Sequence, residues 1–237
     1  MNLERYLAAR ALPSWEPRPR CSRCQRPQVT CYCAKVLPFA SRPRFAILIH
    51  HEEAKRGVAT GRMAHLCLSN SWLLRGTDFS HHAEVEKILH DPTLYPVLLY
   101  PGPHAANLSE LGHERGTELF PRDREPVIFV LDGTWAQARK MRRLSRNLHA
   151  LPQIGFTPRS ASEFLVRRQP MPHCYSTIEA IHYVIDWFGQ TPAGGRLRPH
   201  DNLLNVFRYM VSQQLDFEAE HVRIRGPHPD RGQRKRF

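Results

Sequence analysis

The stretch Pro126-Val-Ile-Phe-Val-Leu131, continued by Asp132-Gly-Thr-Trp-Ala-Gln-Ala138, decides the fold. Its first half is short, continuously apolar and rich in β-branched residues, the pattern of a strand buried on both faces of a mostly parallel sheet. Its second half changes to helical spacing, with Trp135, Ala138, Met141 and Leu144 on one side. An acid therefore stands at the carboxyl end of a central strand, where open α/β sheets collect their ligands. Two readings of Asp132 and Thr134 are open on this ground alone: reactive groups in a crevice, or N-caps that satisfy the free amides of the next helix.

The same alternation continues on both sides. Phe45-Ala-Ile-Leu-Ile-His50 and Tyr95-Pro-Val-Leu-Leu-Tyr100 read as strands, and Thr60 to Leu68 lies between them as a helix. Downstream, Glu163-Phe-Leu-Val166 reads as a short strand, and Ser176-Thr-Ile-Glu179 opens a helix as a capping box. Gln190 to Pro199 is a Pro/Gly-rich loop. A last amphipathic helix spans Asp201 to Leu215, with Leu204, Phe207, Val211 and Leu215 spaced for burial. Alternating strands and helices predict an α/β domain with a mostly parallel sheet flanked by helices. At 237 residues the chain is long enough for one sizeable core and a small appended module. The expected division is an N-terminal arm and linker over 1–20, a zinc module over 21–40, a catalytic α/β domain over 41–220 and a basic flexible tail over 221–237.

The module rests on cysteine spacing. Four of six cysteines fall within thirteen residues, as Cys21-Ser-Arg-Cys24 and Cys31-Tyr-Cys33. Four thiolates this close can converge on one tetrahedral zinc, which gives a short segment without its own core a reason to fold. The N-terminus lacks a signal-peptide core, so a reducing, cytoplasmic compartment is expected, where zinc is favoured over disulfides. Arg20, Arg23 and Arg26 beside the cysteines are available to phosphate. Cys67 and Cys174 sit singly in apolar contexts and read as small buried residues.

Charge points to the partner. The chain carries 34 Lys and Arg against 22 Asp and Glu, a formal net charge of +12, and a basic protein of this size favours a polyanion because phosphate contacts release condensed counterions. No apolar run approaches the ~20 residues of a spanning helix, so a membrane is not expected as partner. Gly-x-Gly-x-x-Gly, the phosphate-binding P-loop, a complete His-Glu-x-x-His and a Gly-x-Ser-x-Gly elbow are all missing from the sequence, which removes support for the commonest nucleotide, zinc-protease and serine-hydrolase readings.

Asp132-Gly-Thr-Trp135 resembles the D-x-T-W motif of the DTW-domain family, and Ser176-Thr-Ile-Glu-Ala180 resembles that family's second hallmark. Thr60-Gly-Arg62 with Asn70, Tyr100-Pro-Gly102 after a strand, and the two cysteine pairs match in the same order, so the resemblance spans roughly residues 21 to 189. It implies a tRNA-uridine aminocarboxypropyltransferase, which moves the 3-amino-3-carboxypropyl group of S-adenosylmethionine to N3 of a tRNA uridine and releases 5'-methylthioadenosine. It also implies a SPOUT-like fold with a C-terminal knot. On this basis Asp132 is the expected general base, because uracil N3 is a poor nucleophile until its imide proton departs. Trp135 stacks on the flipped uracil, faces the sulfonium, or is a core tryptophan. Thr134 bonds the cofactor or caps its helix. Leu131, Gly133, Tyr100, Pro101 and Gly102 are expected in the cofactor pocket, the glycine at 102 allowing close backbone approach. Thr60, Gly61 and Arg62 would hold the donor's amino acid end, with the Arg62 guanidinium on its carboxylate. Ser176, Thr177 and Glu179 hold the donor or cap a helix. Arg139, Lys140, Arg142 and Arg143 form a basic helix face suited to RNA phosphates, and Cys21, Cys24, Cys31 and Cys33 hold structural zinc. A monomer is favoured slightly over an oligomer. The competing functions are a SPOUT-type RNA methyltransferase and a non-enzymatic zinc-containing RNA-binding adaptor.

Overall fold

The computed structural model describes residues 19–167, 174–189 and 198–225. Its strands are β1 Arg44–His50, β2 Trp72–Gly76, β3 Leu94–Leu99, β4 Ala106–Asn107, β5 Glu125–Asp132 and β6 Gln153–Gly155. Its helices are α1 Thr60–Cys67, α2 Ala83–His90, α3 Leu108–Thr117, α4 Trp135–Leu144, α5 Thr177–Phe188 and α6 Asp201–Arg225. The six strands form one all-parallel sheet in the order β2-β1-β5-β3-β6-β4.

Both faces are covered, which is why β1 and β5 read as unbroken apolar runs. The period of two sorts their side chains into two layers. Phe45, Ile47, Val97, Ile128 and Val130 pack against α1, α5 and α6, whereas Ala46, Leu48, Leu98, Phe129 and Leu131 pack against α2 and α4. Phe129 is fully buried, and truncating such a ring to alanine costs about 3–5 kcal/mol. The same alternation puts Asp132 on the Ile128–Val130 face, toward α1 and α5. Chain leaving β1 runs through α1 to β2 on one side, and chain leaving β5 runs through α4 to β6 on the other. The connections diverge between β1 and β5, and a cavity lies beyond the carboxyl ends of β5 and its neighbour β3.

Several sequence expectations change. Glu163–Val166 is not a strand. The Glu163 amide and the Ser162 hydroxyl donate to the Glu179 carboxylate at 2.7 and 2.8 Å, so this backbone is committed to a helix terminus and not to a ladder. The apolar stripe of α6 is rotated from the one expected: Leu203, Val206, Phe207, Met210 and Val211 are buried, Leu204 is half-buried and Leu215 is exposed. The helix docks on both α1 and α5, which selects the wider stripe, and Leu215 lies beyond them. The helix also continues through Arg225, into the tail expected from 221. Short β2, β4 and β6, together with α2 and α3, were not anticipated. The arm over 1–12, the linker up to 18, the loop from 190 to 197 and the tail from 226 lie outside the described residues. The cysteine segment packs on the sheet's first layer, where Cys24, Tyr32 and Val36 join the core of α1, α5 and α6.

Candidate active site and metal centre

Asp132 is the last residue of β5 and is 2% exposed. Its Oδ1 accepts a 2.6 Å hydrogen bond from Thr177 Oγ1 at the first turn of α5, while Oδ2 has no hydrogen-bond partner among the described residues. Burial pushes the carboxyl up to about 6, and the nearby Glu53 charge adds to that. The Thr177 hydroxyl, Arg167 and the Gly61 amide pull the other way without winning. The second turn-forming element is α1. A Cβ added at Gly61 would lie 2.6 Å from Asp132 Cγ and Oδ2, closer than real contacts allow, so the carboxylate fits against this helix only because residue 61 is glycine.

A cavity of about 780 Å³ opens beside this carboxylate at the carboxyl ends of β3, β5 and β6. Phe156, Phe164 and Tyr175 give it an aromatic wall. Among the described residues the cation lining it is Arg167, which donates from Nη1 and Nη2 to Glu53 Oε1 and Oε2 at 2.7 and 2.9 Å, a bidentate clamp on a buried carboxylate. Trp135 stands at the rim, 38% exposed, with its ring edge-on to Tyr100 at 6.4 Å. The core-tryptophan reading is therefore excluded.

A family model described as the DTW domain matches residues 18–215. The chain belongs to the DTW-domain family. It is 32% identical over 169 residues to a Drosophila melanogaster protein named tRNA-uridine aminocarboxypropyltransferase 2, a match covering 68% of this chain and 63% of that one. A Mus musculus protein of the same name is 31% identical over 169 residues, covering 69% of this chain and 54% of its own. This chain thus spans between half and two thirds of the length of these curated relatives. No solved structure matches it.

In this DTW domain, Leu131, Asp132, Gly133, Thr134 and Trp135 line the cavity together with Thr60, Tyr100, Pro101, Ser176 and Thr177. Thr134 also caps α4: its Oγ1 accepts from the Gln137 amide at 3.2 Å, and Gln137 Oε1 accepts from the Thr134 amide at 2.7 Å. Arg62 turns elsewhere, donating to the backbone carbonyls of Ala54 and Arg56, so it braces the turn that carries Glu53. Glu179 is spent structurally, accepting from the Ser176 amide and hydroxyl as well as from Ser162 and Glu163. Gly102 is exposed, and a Cβ there would meet only Gln153 Oε1 at an ordinary 3.7 Å; close approach is required at Gly61 instead. Arg139, Lys140 and Arg143 are exposed on α4, while the Arg142 guanidinium stacks over the Tyr100 ring at 4.9 Å. Arg167 and Glu53 went unnoticed in the sequence. Arg167 has no motif around it, and Glu53 lies in His51-Glu-Glu-Ala-Lys55, which lacks the second histidine of a His-Glu-x-x-His motif.

The four N-terminal cysteines converge. Cys21 Sγ lies 3.7 Å from Cys33 Sγ, and Cys24 Sγ lies 3.7 Å from Cys31 Sγ, with all four sulfurs within 4.8 Å of one another. A tetrahedral centre with metal–sulfur bonds of about 2.3 Å has sulfur–sulfur edges of about 3.8 Å, whereas a disulfide needs about 2.05 Å. The spacing fits a metal ion. Arg20 and Arg23 are exposed, but Arg26 is 3% exposed, so it is not available to phosphate as the sequence suggested. Cys67 and Cys174 are buried as expected, and burial pushes the Cys67 thiol up to about 12. A second group, His182, His200 and Asp201, also gathers possible ligand atoms, but Arg198 already bonds Asp201 there at 2.9 and 3.2 Å.

Proposed function

We propose that this chain is a tRNA modification enzyme that transfers the 3-amino-3-carboxypropyl group of S-adenosylmethionine to N3 of a tRNA uridine and releases 5'-methylthioadenosine. The observation that carries the reading is Asp132, a buried carboxylate that lines the cavity, with one oxygen lacking a hydrogen-bond partner among the described residues and a carboxyl raised to about 6. Such a group is ionised at neutral pH and is a stronger base than an exposed aspartate, which suits removal of an imide proton. The names of the fly and mouse relatives supply the substrate class.

Asp132 takes the N3 proton as the N3–carbon bond forms, and the carbon–sulfur bond of the transferred arm breaks with its electron pair going to sulfur. S-adenosylmethionine supplies three electrophilic carbons around one sulfonium, and orientation decides which of them faces N3. Thr177 holds the carboxylate at Oδ1 and so fixes its orientation beside the cavity. Arg167, in place of Arg62, receives the donor's carboxylate, held in its fork geometry by Glu53. Thr60, Tyr100, Pro101, Leu131, Gly133, Thr134 and Ser176 shape the donor pocket, while Gly61 and Glu179 position its walls. Trp135 stacks on the extruded uracil, an interaction worth about 1–3 kcal/mol. Arg139, Lys140 and Arg143 lead RNA phosphates toward that rim, with Arg142 stiffening it through Tyr100. The cysteines hold structural zinc. The reading also carries a SPOUT-type C-terminal knot and a cytoplasmic location.

Mass spectrometry of nucleosides from unmodified tRNA incubated with the protein and S-adenosylmethionine tests the proposal. Aminocarboxypropyluridine is the expected product. A methyl adduct would make the protein a methyltransferase, and no adduct despite salt-sensitive tRNA binding would make it an adaptor.

A further inference from the structure

Arg26 presents an unresolved charge. It lies two residues beyond Cys24, its backbone carbonyl accepts from the Cys21 amide at 2.8 Å, and its side chain is 3% exposed. Among the described residues, Nε and Nη1 are buried without a hydrogen-bond partner, and Nη2 donates only a long 3.4 Å bond to Gln214 Oε1. Among the described residues no carboxylate lies within ion-pair distance of it. The titratable groups acting on it are Tyr32, Cys24 and Cys31. Taking a guanidinium out of water without a partner is strongly unfavourable, and buried charges are as a rule paired.

We infer that Arg26 is the internal counter-charge of the Cys21–Cys24–Cys31–Cys33 metal centre. A divalent cation and four thiolates sum to two negative charges, and an adjacent buried guanidinium removes one of them where water cannot. The inference rests on reading these cysteines as a metal site. It goes beyond that reading by assigning the buried arginine an electrostatic role, with the opposite sign in the loaded and metal-free protein. With metal bound, Arg26 stabilises the thiolates. Without metal, it is a buried cation with no ion-pair partner among the described residues and works against the fold.

The test compares the full-length wild type with Arg26→Met, which keeps length and apolar packing but removes the charge. Zinc retention against a competing chelator, and cobalt(II) affinity read from the thiolate-to-metal absorption band, should both weaken about 10- to 100-fold, the range found when outer-shell partners of metal ligands are removed. The thermal midpoint should fall in the zinc-loaded variant and rise in the chelated variant, each relative to wild type in the same state. Arg26→Lys, which keeps a positive charge, should recover part of the affinity. If Arg26→Met does not fold, Arg26→Gln reads the same loss of charge. Unchanged metal affinity, or an equal drop in midpoint in both states, would reduce Arg26 to a packing residue and overturn the inference. Wild-type protein that carries no metal and ignores chelator would overturn the metal reading itself, a result distinct from the first two.

Discussion

The cysteine segment and the cleft at Asp132 both bring charged groups out of water, but they assemble them by opposite routes. The four cysteines come from thirteen consecutive residues and meet through tight turns, with the Gln25 amide donating to the Cys21 carbonyl and the Cys21 amide donating to the Arg26 carbonyl inside the segment. The cleft draws Glu53, Gly61, Asp132, Arg167 and Thr177 from chain positions far apart, and only the parallel sheet with helices α1 and α5 brings them together. The difference teaches where each site is vulnerable. The first should fail through its own ligands, and the second through any element that shifts the Asp132 carboxylate.

The largest effect expected is on turnover. Asp132→Asn should lower aminocarboxypropyl transfer by about 10²- to 10⁴-fold, the usual contribution of a general base, with tRNA binding retained; near-normal turnover would remove Asp132 from the chemistry. The same variant should report on burial. Because the folded carboxyl is raised from 3.8 to about 6, the folded wild type binds more protons than the unfolded chain between those values, and its stability falls as pH rises through that window. Asp132→Asn lacks this loss, so it should exceed wild type in stability by up to about 3 kcal/mol above pH ~6. The gap should close below pH ~4, and denaturant titrations across that range would show whether it does. A flat difference would mean the carboxyl is not raised.

Gly61→Ala should cost about 10²-fold in kcat through displacement of the carboxylate, while a cleft tolerant of the extra methyl would show no change. Its melting temperature should also fall, since overpacking against the buried Asp132 side chain costs about 1–3 kcal/mol, which the helix-propensity gain of about 1 kcal/mol for alanine only partly offsets. Arg167→Lys should raise the KM for S-adenosylmethionine about tenfold by replacing a bidentate clamp with a point charge, whereas Arg62→Ala should alter stability and leave that KM within about twofold. The reverse pattern would restore Arg62 as the donor's partner. Trp135→Phe is the mildest, with an expected loss of about 1 kcal/mol or less in tRNA binding or transfer because a stacking face remains.

Much of this molecule was legible from periodicity and spacing. The strands at Phe45, Tyr95 and Pro126 appeared because central parallel strands must be apolar on both faces, and β2, β4 and β6 escaped because short or edge strands lack that signature. The stretch Glu163–Val166 misled because an apolar tripeptide says nothing about where its backbone hydrogen bonds go. Asp132, Thr134 and Trp135 were singled out by motif and line the cavity, whereas Arg62, expected on the donor, bonds backbone carbonyls, and Arg167, for which there was no expectation, lines the cavity. A guanidinium's direction is set by acceptors supplied from elsewhere in the fold, which neither the Thr60-Gly-Arg62 match nor the residues around Arg167 reveal.

Sequence alone determined the α/β alternation, the convergence of four cysteines and the position of an acid at the end of a central strand, because each depends on contacts within a turn or on a side-chain period. Tertiary structure decided that Asp132 keeps one oxygen unengaged, that Gly61 admits it, that Trp135 stands at the rim and that Arg26 is buried. Those outcomes follow from which helices dock on which face of the sheet and how closely. Burial and partnership, which set charge and reactivity, are properties of that docking and not of neighbours along the chain.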